Sequence, residues 1–140
     1  MKLFKIRTKA KTQWPLYKRL LVKAAAHYGA KELGLEVSPI PIHILLKGSQ
    51  LDYGDSIDRD YKIVIRLFHN EKWLPTLFHE LEHARQYIYG DLSIDYETAI
   101  WEGKKFNRKD LSYSKSPWEV KARKVERKLY KKYTKKVLTL

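Results

Sequence analysis

Two histidines, His79 and His83, stand four positions apart in the stretch TLFHELEHARQY at residues 76–87, and Glu80 directly follows the first. In an α-helix, positions four apart are offset by only about 40°. The two imidazoles therefore project side by side from adjacent turns and can reach one metal ion. Glu80 lies about 100° round from His79, beside such an ion without needing to bind it, which is where a general base belongs. A zinc ion held by three protein groups keeps a place for water and lowers that water's pKa to about 7. Glu80 would accept the proton and deliver it to the amine released from a hydrolysed peptide bond.

A third ligand is required, and composition narrows the search. The chain has no cysteine, so a transition-metal site must use imidazole and carboxylate. None of the five histidines follows His83, which excludes sites completed by a downstream histidine. His27, His43 and His69 lie upstream and read as core, surface or turn residues. The acids downstream are Asp91, Asp95, Glu97, Glu102, Asp110, Glu119 and Glu126. A ligand on a second helix gives a more rigid site than one on a loop, which favours Glu119 and Glu126. Glu119, in the first turn after Ser116 and Pro117 and next to Trp118, is the choice; Glu126 and Glu102 are the alternatives. On that basis replacing Glu119 should weaken zinc binding, and replacing Glu126 should not. Tyr113, just before SPWE, is a candidate to aim its hydroxyl at the oxyanion. Glu82 reads as a surface acid within reach of Arg85 or Gln86. Trp101 and Trp118 read as core or cleft wall.

These residues need a scaffold. A chain of 140 residues fits one domain, and 44% hydrophobic with 13% aromatic residues argues against disorder. Leu16, Leu20, Ala24 and Tyr28 recur at helical spacing between Pro15 and about Leu33, predicting a helix packed on that face. The stretches PIHILLK at 41–47 and YKIVIRLF at 61–68 read as strands. The polar segment between them is predicted to hold a short irregular edge strand. The motif helix should run from about Leu74 to Tyr89, closed by Gly90. YETAIWEGKKFN reads as a hairpin turning near Gly103, and Pro117 should open a long helix to about 138, with Trp118, Ala122, Val125, Leu129 and Tyr133 on one face. The sum is a small α+β domain with a mixed sheet.

The formal net charge is +13, and it is concentrated at the ends. Residues 1–31 carry nine Lys or Arg and no acid, and residues 115–140 carry ten opposed by Glu119 and Glu126. Such margins attract nucleic acid through phosphate contacts and counterion release, so nucleic acid is a candidate partner beside a peptide or protein substrate. No apolar stretch is long enough for a signal peptide or a membrane span, and the expected location is cytoplasmic.

HELEHARQY, the WEGKKF hairpin and SPWEVKARKVE together resemble the minigluzincins, small zincin-like metallopeptidases with phage and archaeal relatives. The similarity spans roughly residues 40–130. It implies a zincin-like domain over residues 1–140, with a mixed sheet, an active-site helix and a C-terminal helix that supplies the third ligand. Residue by residue it implies zinc on His79, His83 and Glu119, with Glu80 as base. It departs at Lys121, where related sequences carry a second glutamate. The resemblance also implies peptide binding along a sheet edge, here around Leu51 to Gly54. Some minigluzincins are latent, with a terminal segment in the cleft; the candidates here are MKLFKIRTKAKTQ, within the basic segment 1–13, and KKYTKKVLTL.

Overall fold

Alternation is clearest in β2 (Ile42–Lys47), where Ile42, Ile44 and Leu46 are fully buried and His43, Leu45 and Lys47 are half-buried. Period-two alternation of this kind sends successive side chains to opposite faces of a sheet. In the computed structural model, which describes residues 4–8, 12–48, 54–59 and 62–138, β2 lies inside a four-stranded mixed sheet. Strand β1 (Phe4–Thr8) pairs with it in parallel on one side, and β4 (Lys62–Phe68) in parallel on the other. Strand β3 (Gly54–Arg59) pairs antiparallel with β4 and forms the far edge. The register aligns Phe4, Ile42 and Ile63 in one row, and Ile6, Ile44 and Ile65 in the next. These rows make the sheet's contribution to the main core.

Three helices join that core. The first, α1 (Leu16–Glu32), buries Val22, Ala25, Ala26, Gly29 and Ala30. The expected stripe is therefore wrong: Leu16 and Leu20 are 61% and 56% exposed, Ala24 is exposed, and only Tyr28 of the four packs inward. Close approach between helices explains the difference. A Cβ on Gly29 would lie 2.8 Å from Leu81 Cδ1 and 3.2 Å from Phe78 Cδ1, so this interface admits small residues and excludes leucine.

The second, α2 (Trp73–Ile88), inserts Leu77, Phe78, Leu81 and Ala84, all fully buried. This leaves the flank bearing His79 and His83 to a third helix. A three-stranded antiparallel sheet intervenes in sequence, made of β5 (Leu92–Ile94), β6 (Thr98–Trp101) and β7 (Lys104–Asn107). The expected hairpin turns at Glu102 and Gly103, both at positive φ (48° and 82°), as a two-residue type I′ loop requires.

The last helix, α3 (Pro117–Leu138), begins where the sequence placed it. Trp118 packs with Leu92, Ala99 and Trp101 in a second core. Leu129, Val125 and Tyr133 join the main core. Anchored at both places, α3 crosses α2 with Glu119 and Glu126 facing the motif.

Among the described residues, both candidate blocking segments are built into the fold. Residues 4–8 form β1, at the sheet edge opposite β3, and residues 131–138 continue α3, with Tyr133 packed on Tyr28 and Phe78. Residues 1–3, 9–11, 139 and 140 of the two candidate segments lie outside the described residues. No described helix is long and apolar enough to cross a membrane.

Candidate metal centre

The motif lies on α2 as its spacing predicts. His79, Glu80 and His83 each offer a ligand atom, and these atoms lie within 4.8 Å of one another. The His79 and His83 rings meet edge to face, with centroids 4.9 Å apart. From α3, the Glu119 carboxylate approaches both rings on the same nitrogen: Oε1 is 2.9 Å from His79 Nε2, and Oε2 is 3.0 Å from His83 Nε2. Glu80, His83 and Glu119 are all buried, and His79 is largely covered.

The remaining ring nitrogens are also engaged. His79 Nδ1 is 2.9 Å from Glu126 Oε1, and His83 Nδ1 is 2.9 Å from Gln86 Oε1. Gln86 then donates through Nε2 to the Trp118 carbonyl at 3.1 Å, tying α2 to the turn of α3 that carries Glu119. Glu126 thus sits behind His79, on the side away from Glu119, because it is two helical turns further along α3. Glu126, the alternative third ligand, meets the outer nitrogen of His79 and not the Nε2 that Glu119 shares with His83. Gln86 was not singled out for this role, although its position three after His83 places it on the same helix face.

Charge follows geometry. Burial opposes protonation of His79, but hydrogen bonds with Glu119 and Glu126 and the charges of Glu80 and Glu119 outweigh it, raising its pKa to about 10. His83 is raised on the same balance, with burial opposing and Glu119 leading the opposite effect. Burial would raise the Glu119 carboxyl, yet hydrogen bonds from His79 and His83 hold it down to about 2. The pocket thus favours positive charge between the two rings and the carboxylate.

A divalent cation satisfies that demand, and the donors suit one. Two imidazoles and a carboxylate form a known zinc ligand set, and bonds of about 2.0–2.1 Å place tetrahedral donors about 3.3 Å apart. The observed Nε2 to carboxylate separations of 2.9 and 3.0 Å come near this before any adjustment. Once a cation takes the place of the proton shared with Glu119, a neutral ring that donates Nδ1–H to Glu126 or Gln86 would offer its Nε2 lone pair to that cation.

Other expected positions divide clearly. The Tyr113 hydroxyl neighbours Glu119: burial of that end, then the Glu119 charge and a hydrogen bond to it, raise its pKa, although the residue is 71% exposed as a whole. Glu82 is not a surface acid. It is fully buried and ion-paired to Arg85, which also meets Asp91 at 3.0 Å; the partner was foreseen, and the burial follows from packing on that flank of α2. Asp95, Glu97, Glu102 and Asp110 are exposed, with Glu102 at the hairpin turn. Lys121 is exposed, so the departure at that position leaves the site's donors unchanged.

The upstream histidines stay apart from the centre. His27 is exposed and meets the Phe4 ring edge to face, while His69 lies 2.8 Å from Lys18 Nζ. His43 is on β2, its pKa lowered by burial and by Lys62, Lys5 and Arg7. Of the expected substrate edge, Leu51, Asp52 and Tyr53 lie outside the described residues. Gly54 opens β3 against the motif: a Cβ there would be 2.9 Å from both the Arg66 carbonyl oxygen and Thr76 Cγ2, and 3.7 Å from Glu80 Cγ.

Comparisons with protein families, curated proteins and solved structures find no match to this chain.

Proposed function

We propose that this chain is a zinc-dependent peptidase of the gluzincin type, with His79, His83 and Glu119 as ligands and Glu80 as general base. The observation that carries the reading is the Glu119 carboxylate, delivered from a separate helix to within 3.0 Å of Nε2 on both histidines. The resemblance of HELEHARQY and SPWEVKARKVE to minigluzincins supports the same assignment.

When bound, zinc polarises a water molecule and lowers its pKa to about 7. Glu80, buried beside His79 and His83, takes a proton from the attacking water. It delivers that proton to the amine nitrogen as the carbon–nitrogen bond breaks. Glu126 and Gln86, which meet the Nδ1 atoms, would hold the two rings in the tautomer whose Nε2 binds the metal. The Tyr113 hydroxyl, next to Glu119, donates a hydrogen bond to the developing oxyanion. Strand β3 is an edge strand running past Glu80 at Gly54, and an extended peptide adds to it by main-chain pairing.

The test combines elemental analysis with hydrolysis of an unstructured protein such as casein. Wild type should carry about one zinc per chain and cleave. Glu80→Gln should retain the zinc and lose hydrolysis by about 10²-fold or more. His79→Ala and Glu119→Ala should lose the metal. Zinc without hydrolysis in wild type would make the centre structural, and undiminished cleavage by Glu80→Gln would remove Glu80 as base.

A further inference from the structure

Helix α3 turns one face to the metal centre and another to solvent, and the second is as regular as the first. Lys121, Lys124, Lys128, Lys131 and Lys135 are all exposed. Their spacing is three, four, three and four residues, which confines them to an arc of about 80° and spreads them over about 21 Å of helix. Both acids of α3 are turned inward, on the imidazoles of His79 and His83. Buried Glu82 lies close enough to Lys121 for the two charges to interact. Like charges at these spacings destabilise a helix, and here four such pairs run in succession with no acid of α3 on the same arc.

We propose that this stripe is a docking surface for the phosphate backbone of duplex nucleic acid. Charge complementarity argues for a polyanion, and length argues for an extended one: 21 Å matches about six base pairs at 3.4 Å per step along a strand. No aromatic residue lies within the lysine arc, so the face has no platform for stacking unpaired bases. Contacts confined to lysine and phosphate carry position without sequence information. An anionic membrane fits less well, because the apolar face that an interfacial helix would insert is already used. Trp118, Leu129, Val125 and Tyr133 are packed into the two cores.

The experiment uses the full chain and a 20-base-pair duplex of arbitrary sequence, with binding followed by fluorescence anisotropy between 50 and 200 mM salt. Five phosphate contacts give a log–log salt slope of about −4.5, a loss of about 500-fold across that range. Changing all five stripe lysines to glutamine should remove this affinity and flatten the slope. The comparison variant changes Lys23, Lys31, Lys104, Lys105 and Lys109 to glutamine; these are also exposed, so it has the same net charge and should retain most of the slope. Circular dichroism checks that both fold, and the smaller variant K124Q/K128Q/K131Q, with an expected slope change of about 3, serves if the larger does not.

Several results would overturn the proposal. Equal losses in the two charge-matched variants would mean diffuse attraction rather than a site. Absence of duplex binding by wild type at 50 mM salt would exclude it outright. Stripe-dependent binding to phosphatidylserine vesicles or polyglutamate as tight as to duplex would assign the face to a membrane or an acidic protein. Zinc and hydrolysis do not enter these readouts, so the outcome is independent of the peptidase reading.

Discussion

The Glu126 carboxylate lies 2.9 Å from Nδ1 of His79, on the ring edge opposite the nitrogen that meets Glu119. One helix thus addresses both sides of one imidazole, with a candidate ligand in front and an orienting group behind. Outer-shell partners of this kind typically contribute 10- to 100-fold in metal affinity. Glu126→Ala should therefore weaken zinc binding by about that factor while the metal still binds, whereas Glu119→Ala should lose far more. Competition with a chromophoric chelator measures both. Equal losses would mean that the two carboxylates share the ligand role.

Without metal, the same charges make folding depend on pH in two directions. His79 has a folded pKa of about 10 against a usual 6.5; its stabilisation is complete below 6.5 and is lost as pH rises toward 10. Glu119 is held at about 2 against 4.5; its stabilisation is present above 4.5 and is lost as pH falls toward 2. Chelator-treated protein should be most stable between about pH 4.5 and 6.5, with Tm falling on both sides. Zinc binds deprotonated ligands, so adding it should offset the alkaline fall. Parallel melting curves with and without zinc test this, and a chelated protein with level Tm from pH 6.5 to 10 would contradict it.

Arg85 holds buried Glu82 and partly buried Asp91 together at the end of α2. Burial raises the Glu82 pKa, and Arg85 is the main influence lowering it. Removing the cation leaves a buried carboxylate unpaired, at a typical cost of about 3–5 kcal/mol. Arg85→Met should therefore unfold at much lower urea than wild type. Adding Glu82→Gln should restore part of the loss, because the buried group is then neutral. A double variant no more stable than the single one would show that the pair acts through shape instead.

At Gly54, β3 passes close to the motif helix. A methyl group there meets the Arg66 carbonyl, which is backbone and cannot swing aside, as well as Thr76 on α2. Gly54→Ala should lower stability by about 1–3 kcal/mol and reduce hydrolysis more than zinc content, since the strand must shift relative to Glu80. Unchanged Tm and turnover would mean that this edge is free to move.

Local pattern made some features legible and left others undetermined. The spacing of His79, Glu80 and His83 specified both the helix and the shared direction of the two rings, because helical geometry is set over a single turn. Pro117 and the apolar positions of α3 marked that helix at its observed limits, and Gly103 marked the hairpin. The face of α1 was misread because two stripes have the same period. Only contact with Phe78 and Leu81 selected the one with Gly29 and the alanines. Strand β1 was missed because FKIRT is short and charged, and it is held by pairing with β2, 34 or more residues away in sequence.

What the sequence by itself determined is the chemistry available: imidazole and carboxylate without thiolate, a helical pair of histidines, and a short set of acids downstream. What only the tertiary structure decided is which acid meets which nitrogen. Glu119 and Glu126 have the same side chain on the same helix, and their difference lies in where α3 crosses α2. That crossing is set by Trp118 in one core and Leu129 in the other, and packing between distant segments has no signature in the spacing of either.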